Sequence, residues 1–182
     1  GKGVSFCATC DAPFYRGKEV AVVGGGDAAV QETLHLLKFV KKVYLIHRRD
    51  KLRAVPQLQE KILDHPQVEF IWNSRVVEVQ GGDKLESVLV EDKHTGKKRK
   101  LSCGGLFVFI GFTPATDWLK GTLDLDENGY IITDENMCTS EEGIFACGDC
   151  RVKPLRQVVT ACADGAIAAQ SAYKYLTDKK EG

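Results

Sequence analysis

The apolar positions of this chain fall into short runs punctuated by glycine, and their period changes along it. Val20, Ala21, Val22 and Val23 are consecutive and bounded by Gly17 and Gly24, which predicts a strand buried on both faces of a parallel sheet. Over residues 27–39 the spacing becomes helical, with Ala29, Val30, Leu34 and Leu37 facing inward and Gln31, Glu32, His35 and Lys38 outward. A strand over 43–46, a helix around 58–63 stopped by His65-Pro66 and a strand over 68–72 continue the series. Strand, helix, strand, helix, strand is the order of an α/β, doubly wound, Rossmann-like unit.

From residue 75 to 101 the period shortens to alternation. Strands over 76–79 and 85–90 and a polar one ending at Leu101, turned at Gly81-Gly82 and Thr95-Gly96, predict an antiparallel meander between parallel elements. One more apolar strand over 106–110 is broken by Gly111-Phe112-Thr113-Pro114. The boundary predicted there divides the chain into domains at 1–110 and 111–182. The second opens with acidic, loop-like sequence over 124–135 and a short strand over 143–146. It closes with a helix over 158–176, rich in small residues such as Ala161, Gly165 and Ala168.

Composition narrows the classes. With 43% hydrophobic residues in 182, there is enough to pack a core. The 25 basic residues balance the 25 acidic ones, so no global field argues for nucleic acid or an anionic membrane as partner. No apolar stretch approaches the roughly 20 residues of a membrane span. Seven scattered cysteines, an odd count, fit free thiols in a reducing cytoplasm. With no initiator Met and candidate chemistry from residue 7, the chain is expected to be part of a longer protein.

Two motifs carry that chemistry. Cys7-Ala8-Thr9-Cys10 has the spacing of a small reversible disulfide, and Asp11 beside the second sulfur is placed to relay protons. The same pair would also make half of a zinc site with Cys147 and Cys150, although those lie in the other predicted domain. Gly24-Gly25-Gly26-Asp27-Ala28-Ala29 fits Gly-x-Gly-x-x-Ala between a strand and a helix. Gly24, Gly26 and Ala29 there allow a tight turn and close approach to a pyrophosphate. A glycine-rich turn without a ligand reads the same way when taken alone. After the second strand, where an NAD site places a carboxylate, stand His47, Arg48, Arg49 and Arg53. Guanidinium groups suit a 2′-phosphate, which selects NADPH over NADH; a solvated basic turn is the plainer alternative. Lys97-Lys98-Arg99-Lys100 reads as a solvated hairpin strand, and Cys103, Cys138, Cys147, Cys150 and Cys162 as small packing residues.

On these residues the chain resembles the low-molecular-weight thioredoxin reductases over essentially its whole length. Cys7-Ala8-Thr9-Cys10-Asp11, the glycine turn and His47-Arg48-Arg49 with Arg53 match that family's dithiol and NADPH motifs. Gly148-Asp149 matches its flavin-binding Gly-Asp, and Arg156-Gln157-Val158 the segment beside the isoalloxazine ring, where a helix start would stabilise negative charge. The resemblance implies NADPH and FAD as cofactors, thioredoxin or a similar protein as partner, and a homodimer in the full-length form. It implies that Cys10 faces the flavin, Cys7 attacks the partner's disulfide and Asp11 serves as acid and base. The family's first glycine turn, for the ADP half of FAD, has no counterpart in these residues. The match is therefore to the NADPH domain plus the C-terminal part of the FAD domain. Two other functions stay open: an NADP-binding module without turnover, and a flavin disulfide reductase with another acceptor.

Overall fold

The computed structural model describes residues 1–181, with side chains described as far as Lys179. It forms two compact units, Gly1–Gly111 and the part from Phe112 onward. The first contains strands β1 (Val4–Ser5), β2 (Glu19–Gly24), β3 (Lys42–Ile46), β4 (Val68–Ile71), β5 (Ser74–Gly81), β6 (Leu85–Asp92), β7 (Lys98–Ser102) and β8 (Gly105–Phe109). Its helices are α1 (Ala8–Asp11), α2 (Asp27–Leu36) and α3 (Pro56–Ile62). Five strands make one sheet in the order β1-β8-β2-β3-β4, every neighbouring pair parallel. The other three, β5-β6-β7, form an antiparallel sheet.

Strand alternation sorts the apolar residues into two cores. Val20, Val22, Val43, Leu45 and Phe107 point to one face and pack with Ala29, Val30 and Leu36 of α2 and Ile62 of α3. Ala21, Tyr44, Ile46 and Leu106 point to the other and pack with Val88, Val90 and Leu101 of the antiparallel sheet. Helices thus cover one face of the parallel sheet and the meander covers the other. Because both faces are covered, β2 reads as an unbroken apolar run rather than an alternating one.

Several local expectations change. Helix α2 ends at Leu36 and buries Ala29, Val30, Thr33 and Leu36, while Leu34 and Leu37, expected to face inward, are half-buried. Thr33 is tolerated inside because its hydroxyl donates to the Ala29 carbonyl at 2.6 Å. Strand β1, two residues long, was not signalled by any periodicity; it pairs with β8 as Val4 with Leu106 and Ser5 with Phe107.

In the second unit Leu119, Leu123, Ile131 and Ala146 form a small buried cluster. The strand expected over 143–146 reduces to one bridge between Cys138 and Phe145. Helix α4 (Val158–Glu181) runs past the expected end, and its buried residues among those described are Asp164 and Ala168.

Candidate redox and dinucleotide-binding site

All strands of the large sheet run the same way, so their carboxyl ends share one edge, and the candidate chemistry of the first unit collects there. At the end of β1 the chain turns into α1, whose single turn holds Cys7 and Cys10 as a disulfide with Cα atoms 5.3 Å apart. Cys7 caps that helix: its Sγ accepts from the Cys10 amide at 3.1 Å. Ser5 Oγ accepts from the Cys7 amide at 3.2 Å and fixes the approach. Ala8 is fully buried, and its amide donates to Glu32 Oε2 on α2 at 2.9 Å. Glu32 therefore does not face solvent as its place in the helical pattern predicted. Asp11 closes the turn, its amide donating to the Cys7 carbonyl at 3.2 Å. Burial and then the charge of Asp11 push the Tyr15 phenol above its ordinary value. Cys7 is half-buried and Cys10 exposed.

At the end of β2 the glycine turn is sterically forced. A Cβ on Gly24 would lie 2.5 Å from both the Phe109 carbonyl oxygen and Ala29 Cβ, so only glycine lets β8 and α2 close around it. A Cβ on Gly25 would strike the His47 ring at 2.3 Å. Gly26 differs: it caps α2, and a Cβ there would meet nothing within 4 Å. That open side of a helix start is where an anion is favoured. The Gly25 carbonyl accepts from the Arg53 amide at 2.7 Å and the Ala54 amide at 3.2 Å. Asp27 Oδ1 accepts from the Val55 amide at 2.8 Å. These bonds fold the Arg53 segment onto the turn; the sequence pattern gave Asp27 no such task.

A cavity of about 410 Å³ opens at this edge, lined by Gly24, Gly25, His47, Arg48, Arg53 and Arg75 among others. Arg75 is spent on Glu91, with Nη2 at 2.8 Å. Arg48, Arg49 and Arg53 form no ion pair among the described residues. Arg49 does not line the cavity; its carbonyl accepts from the Asn73 amide at 3.1 Å. His47 is 5% exposed, and its Nε2 has no hydrogen-bond partner. Burial drives its pKa below the ordinary value, against a hydrogen bond to the Gly24 backbone, and the neighbouring arginines add to the depression. The orphaned ring nitrogen of His47 and the guanidinium groups of Arg48 and Arg53 at one cavity, with the open helix start next to Gly25 in the chain, fit an anionic ligand with hydrogen-bonding edges. A phosphorylated dinucleotide is such a ligand.

In the second unit Gly148–Cys150 form one 3-10 turn, begun by Gly148 at φ +82°, a conformation that favours glycine. The Gly148 amide donates to Asp164 Oδ2 at 3.1 Å. The same oxygen accepts from Lys153 Nζ at 2.6 Å and Arg151 Nη1 at 3.4 Å. The Lys153 hydrogen bond, outweighing burial, holds the Asp164 carboxyl below its ordinary value. Arg156 Nε donates to the Asp149 carbonyl at 3.3 Å, and its guanidinium stacks 3.9 Å from the Tyr130 ring centroid. The Gln157 amide donates to Thr160 Oγ1 at 3.2 Å, and Val158, 80% exposed, starts α4. Asp149 is thus joined to Arg156, which precedes Gln157 and Val158 at the start of α4, and its own side chain is exposed. Neither Asp164 nor Lys153 stood out in the sequence: Asp164 because a charged residue in a small-residue helix reads as solvated, and Lys153 because it lies in the loop before that helix. Cys147 and Cys162 are exposed and so are not packing residues, whereas burial pushes the Cys103 thiol up to about 11.

Residues 1–165 match the pyridine nucleotide-disulphide oxidoreductase family, and the chain belongs to it. Within that family its relatives include thioredoxin reductases. The one from Peptoclostridium acidaminophilum is 53% identical over 97% of this chain and 58% of its own length. That of Bacillus subtilis is 46% identical over 100% of this chain and 58% of its own length. The crystal structure of thioredoxin reductase from Streptococcus pyogenes superposes with a TM-score of 0.90 at 48% identity, covering 97% of this chain and 58% of that one. The chain thus spans a little under three fifths of the relatives it matches.

Proposed function

We propose that this chain carries the NADPH-binding unit, the redox dithiol and part of the flavin-binding unit of a thioredoxin-disulfide reductase. One observation supports this most directly. The Cys7–Cys10 turn and the glycine turn rise from the same carboxyl edge of one parallel sheet, on β1 and β2, with β8 between them. Two strand spacings amount to about 10 Å. A disulfide and a nicotinamide site held so near serve electron flow from one to the other.

In this reading Gly24, Gly26 and Ala29 admit the pyrophosphate and His47, Arg48, Arg49 and Arg53 hold the 2′-phosphate and its ribose. Gly148, Asp149, Arg156, Gln157 and Val158 hold the ribityl and ring side of FAD. The bound flavin supplies two-electron relay: NADPH loses a hydride, and with one proton the disulfide becomes two thiols. Asp11, at the end of α1, gives and takes the protons of exchange. The domains are those at 1–110 and 111–182, the partner is thioredoxin or a protein like it, the longer protein is a homodimer, and its compartment is the reducing cytoplasm. No helix among the described residues is long and apolar enough to cross a membrane.

Cofactor selection tests the reading. Arg48→Ala/Arg49→Ala removes unpaired cations from the phosphate-reading segment. A hydrogen bond to a charged group is worth about 1.5–3 kcal/mol, and exposure places this pair at the low end, so NADPH affinity should fall about 10- to 100-fold. NADH affinity should hardly change. Titrating both variants by fluorescence with both cofactors measures the ratio; an unchanged ratio removes the NADPH assignment.

A further inference from the structure

Glu32 reaches into the dithiol turn from α2, 24 positions along the chain, and neither the turn's spacing nor the nucleotide motif accounts for it. Its Oε2 takes the Ala8 amide at 2.9 Å, the first amide of α1. Cys7 Sγ takes the Cys10 amide of the same turn at 3.1 Å. A carboxylate and a sulfur therefore share one helix start. While the cysteines are paired, that sulfur carries no charge. Once they are reduced, a Cys7 thiolate must sit where amide dipoles favour an anion and where one anion is already fixed.

We propose that Glu32 is a positioning residue that tunes the Cys7–Cys10 couple, making its reduced form a stronger electron donor. The proposal rests on the reading of this pair as the redox dithiol. The physics has one sign. The Glu32 charge destabilises the Cys7 thiolate and leaves the neutral disulfide little affected, so the couple shifts toward the disulfide. A reduced form raised in energy passes its electrons on more readily, as suits a donor to another protein's disulfide. The hydrogen bond to Ala8 has a separate role: it ties α1 to α2 and orients the turn.

Substitution separates charge from tie. Glu32→Gln keeps an acceptor for the Ala8 amide and removes the charge; Glu32→Asp keeps the charge on a shorter stem. The measurement is the equilibrium of the 182-residue chain with dithiothreitol, trapped by alkylation and read by mass. In that exchange the two reagent thiols lose two electrons and two protons to close their own disulfide, and Cys7 and Cys10 gain them. Neither NADPH, FAD nor a partner protein is needed. A charge pair near the protein surface is worth about 0.2–1 kcal/mol, so Glu32→Gln should shift the equilibrium up to about fivefold toward the dithiol. Alkylation of Cys7 at pH 7 should accelerate in the same range, with Glu32→Asp remaining near the parent. Melting temperatures of all three report on the tie alone. If Glu32→Gln lowers the melting temperature but leaves the equilibrium and the alkylation rate unchanged, Glu32 is only a clamp and the proposal fails, while the dithiol reading stands. If the parent chain shows no reversible Cys7–Cys10 couple, both fail.

Discussion

His47 is buried beside the cavity that Arg48 and Arg53 line, and its charge state follows from burial and from the neighbouring cations. Burial, first, and the charges of Arg53, Arg49 and Arg48 hold its folded pKa below the ordinary histidine value. The unfolded chain therefore takes up this proton at a higher pH than the folded one. Stability due to neutral His47 is complete above the ordinary histidine range and is lost as pH falls through that range toward the lowered folded value. The loss for one proton is at most about 1.4 kcal/mol per pH unit. Melting temperatures of the unliganded chain between pH 7.5 and 5.5 should fall, and His47→Asn should flatten the slope. Equal slopes would mean that His47 takes up its proton without cost in the fold.

At the scale of elements, the turn at Gly148–Cys150 depends on α4 through one carboxylate. Asp164 receives Lys153, Arg151 and the Gly148 amide, and the Lys153 and Arg151 side chains are only 5% and 12% exposed. Removing its charge leaves two buried cations without a counter-ion, which in buried pairs costs on the order of 3 kcal/mol. Asp164→Asn should therefore loosen the second unit while sparing the first. Hydrogen exchange resolved by segment would show new exposure over 143–165 and none over residues 19–46; uniform or absent change would refute the link. Elements of this kind separate what was legible in the sequence from what was not. The runs forming β2, β3 and β8 and the glycine turn were legible because burial on both faces and close approach leave few residue choices. The meander was legible from its turns. Strand β1 was not, because two residues carry no period and its partner β8 lies about a hundred positions away. Glu32 and Asp164 were not, because both lie on helices at positions that local spacing assigns to solvent. Their partners, Ala8 and Lys153, are supplied by tertiary structure. Each carboxylate is thus invisible to periodicity, yet bonds to a turn that carries candidate site residues.

At the scale of the molecule, the two units are unequally equipped. The first has two cores on either face of its sheet. The second buries only a small cluster and leaves Trp118 at 78%, Val158 at 80%, Val159 at 73% and Tyr173 at 69% exposure. Exposed apolar side chains of this size suit contact with a covering segment. The chain's one Gly-x-Gly-x-x-Ala turn is taken by the NADPH reading, so the pyrophosphate and adenosine of FAD lack the turn that would bind them. We therefore predict that the 182-residue chain alone binds NADPH but retains well under one FAD per molecule after desalting from excess flavin, and turns over little. Supplying the part of a relative that this chain does not span, by fusion or as a separate polypeptide, should give a yellow protein whose flavin band bleaches on adding NADPH. The gain should come with reduced binding of a hydrophobic dye, because the same segment covers the exposed face of α4. A chain that purifies by itself with one tightly bound FAD would show that its own residues suffice for the whole cofactor. The proposed division of the flavin site between this chain and a further segment would then be wrong.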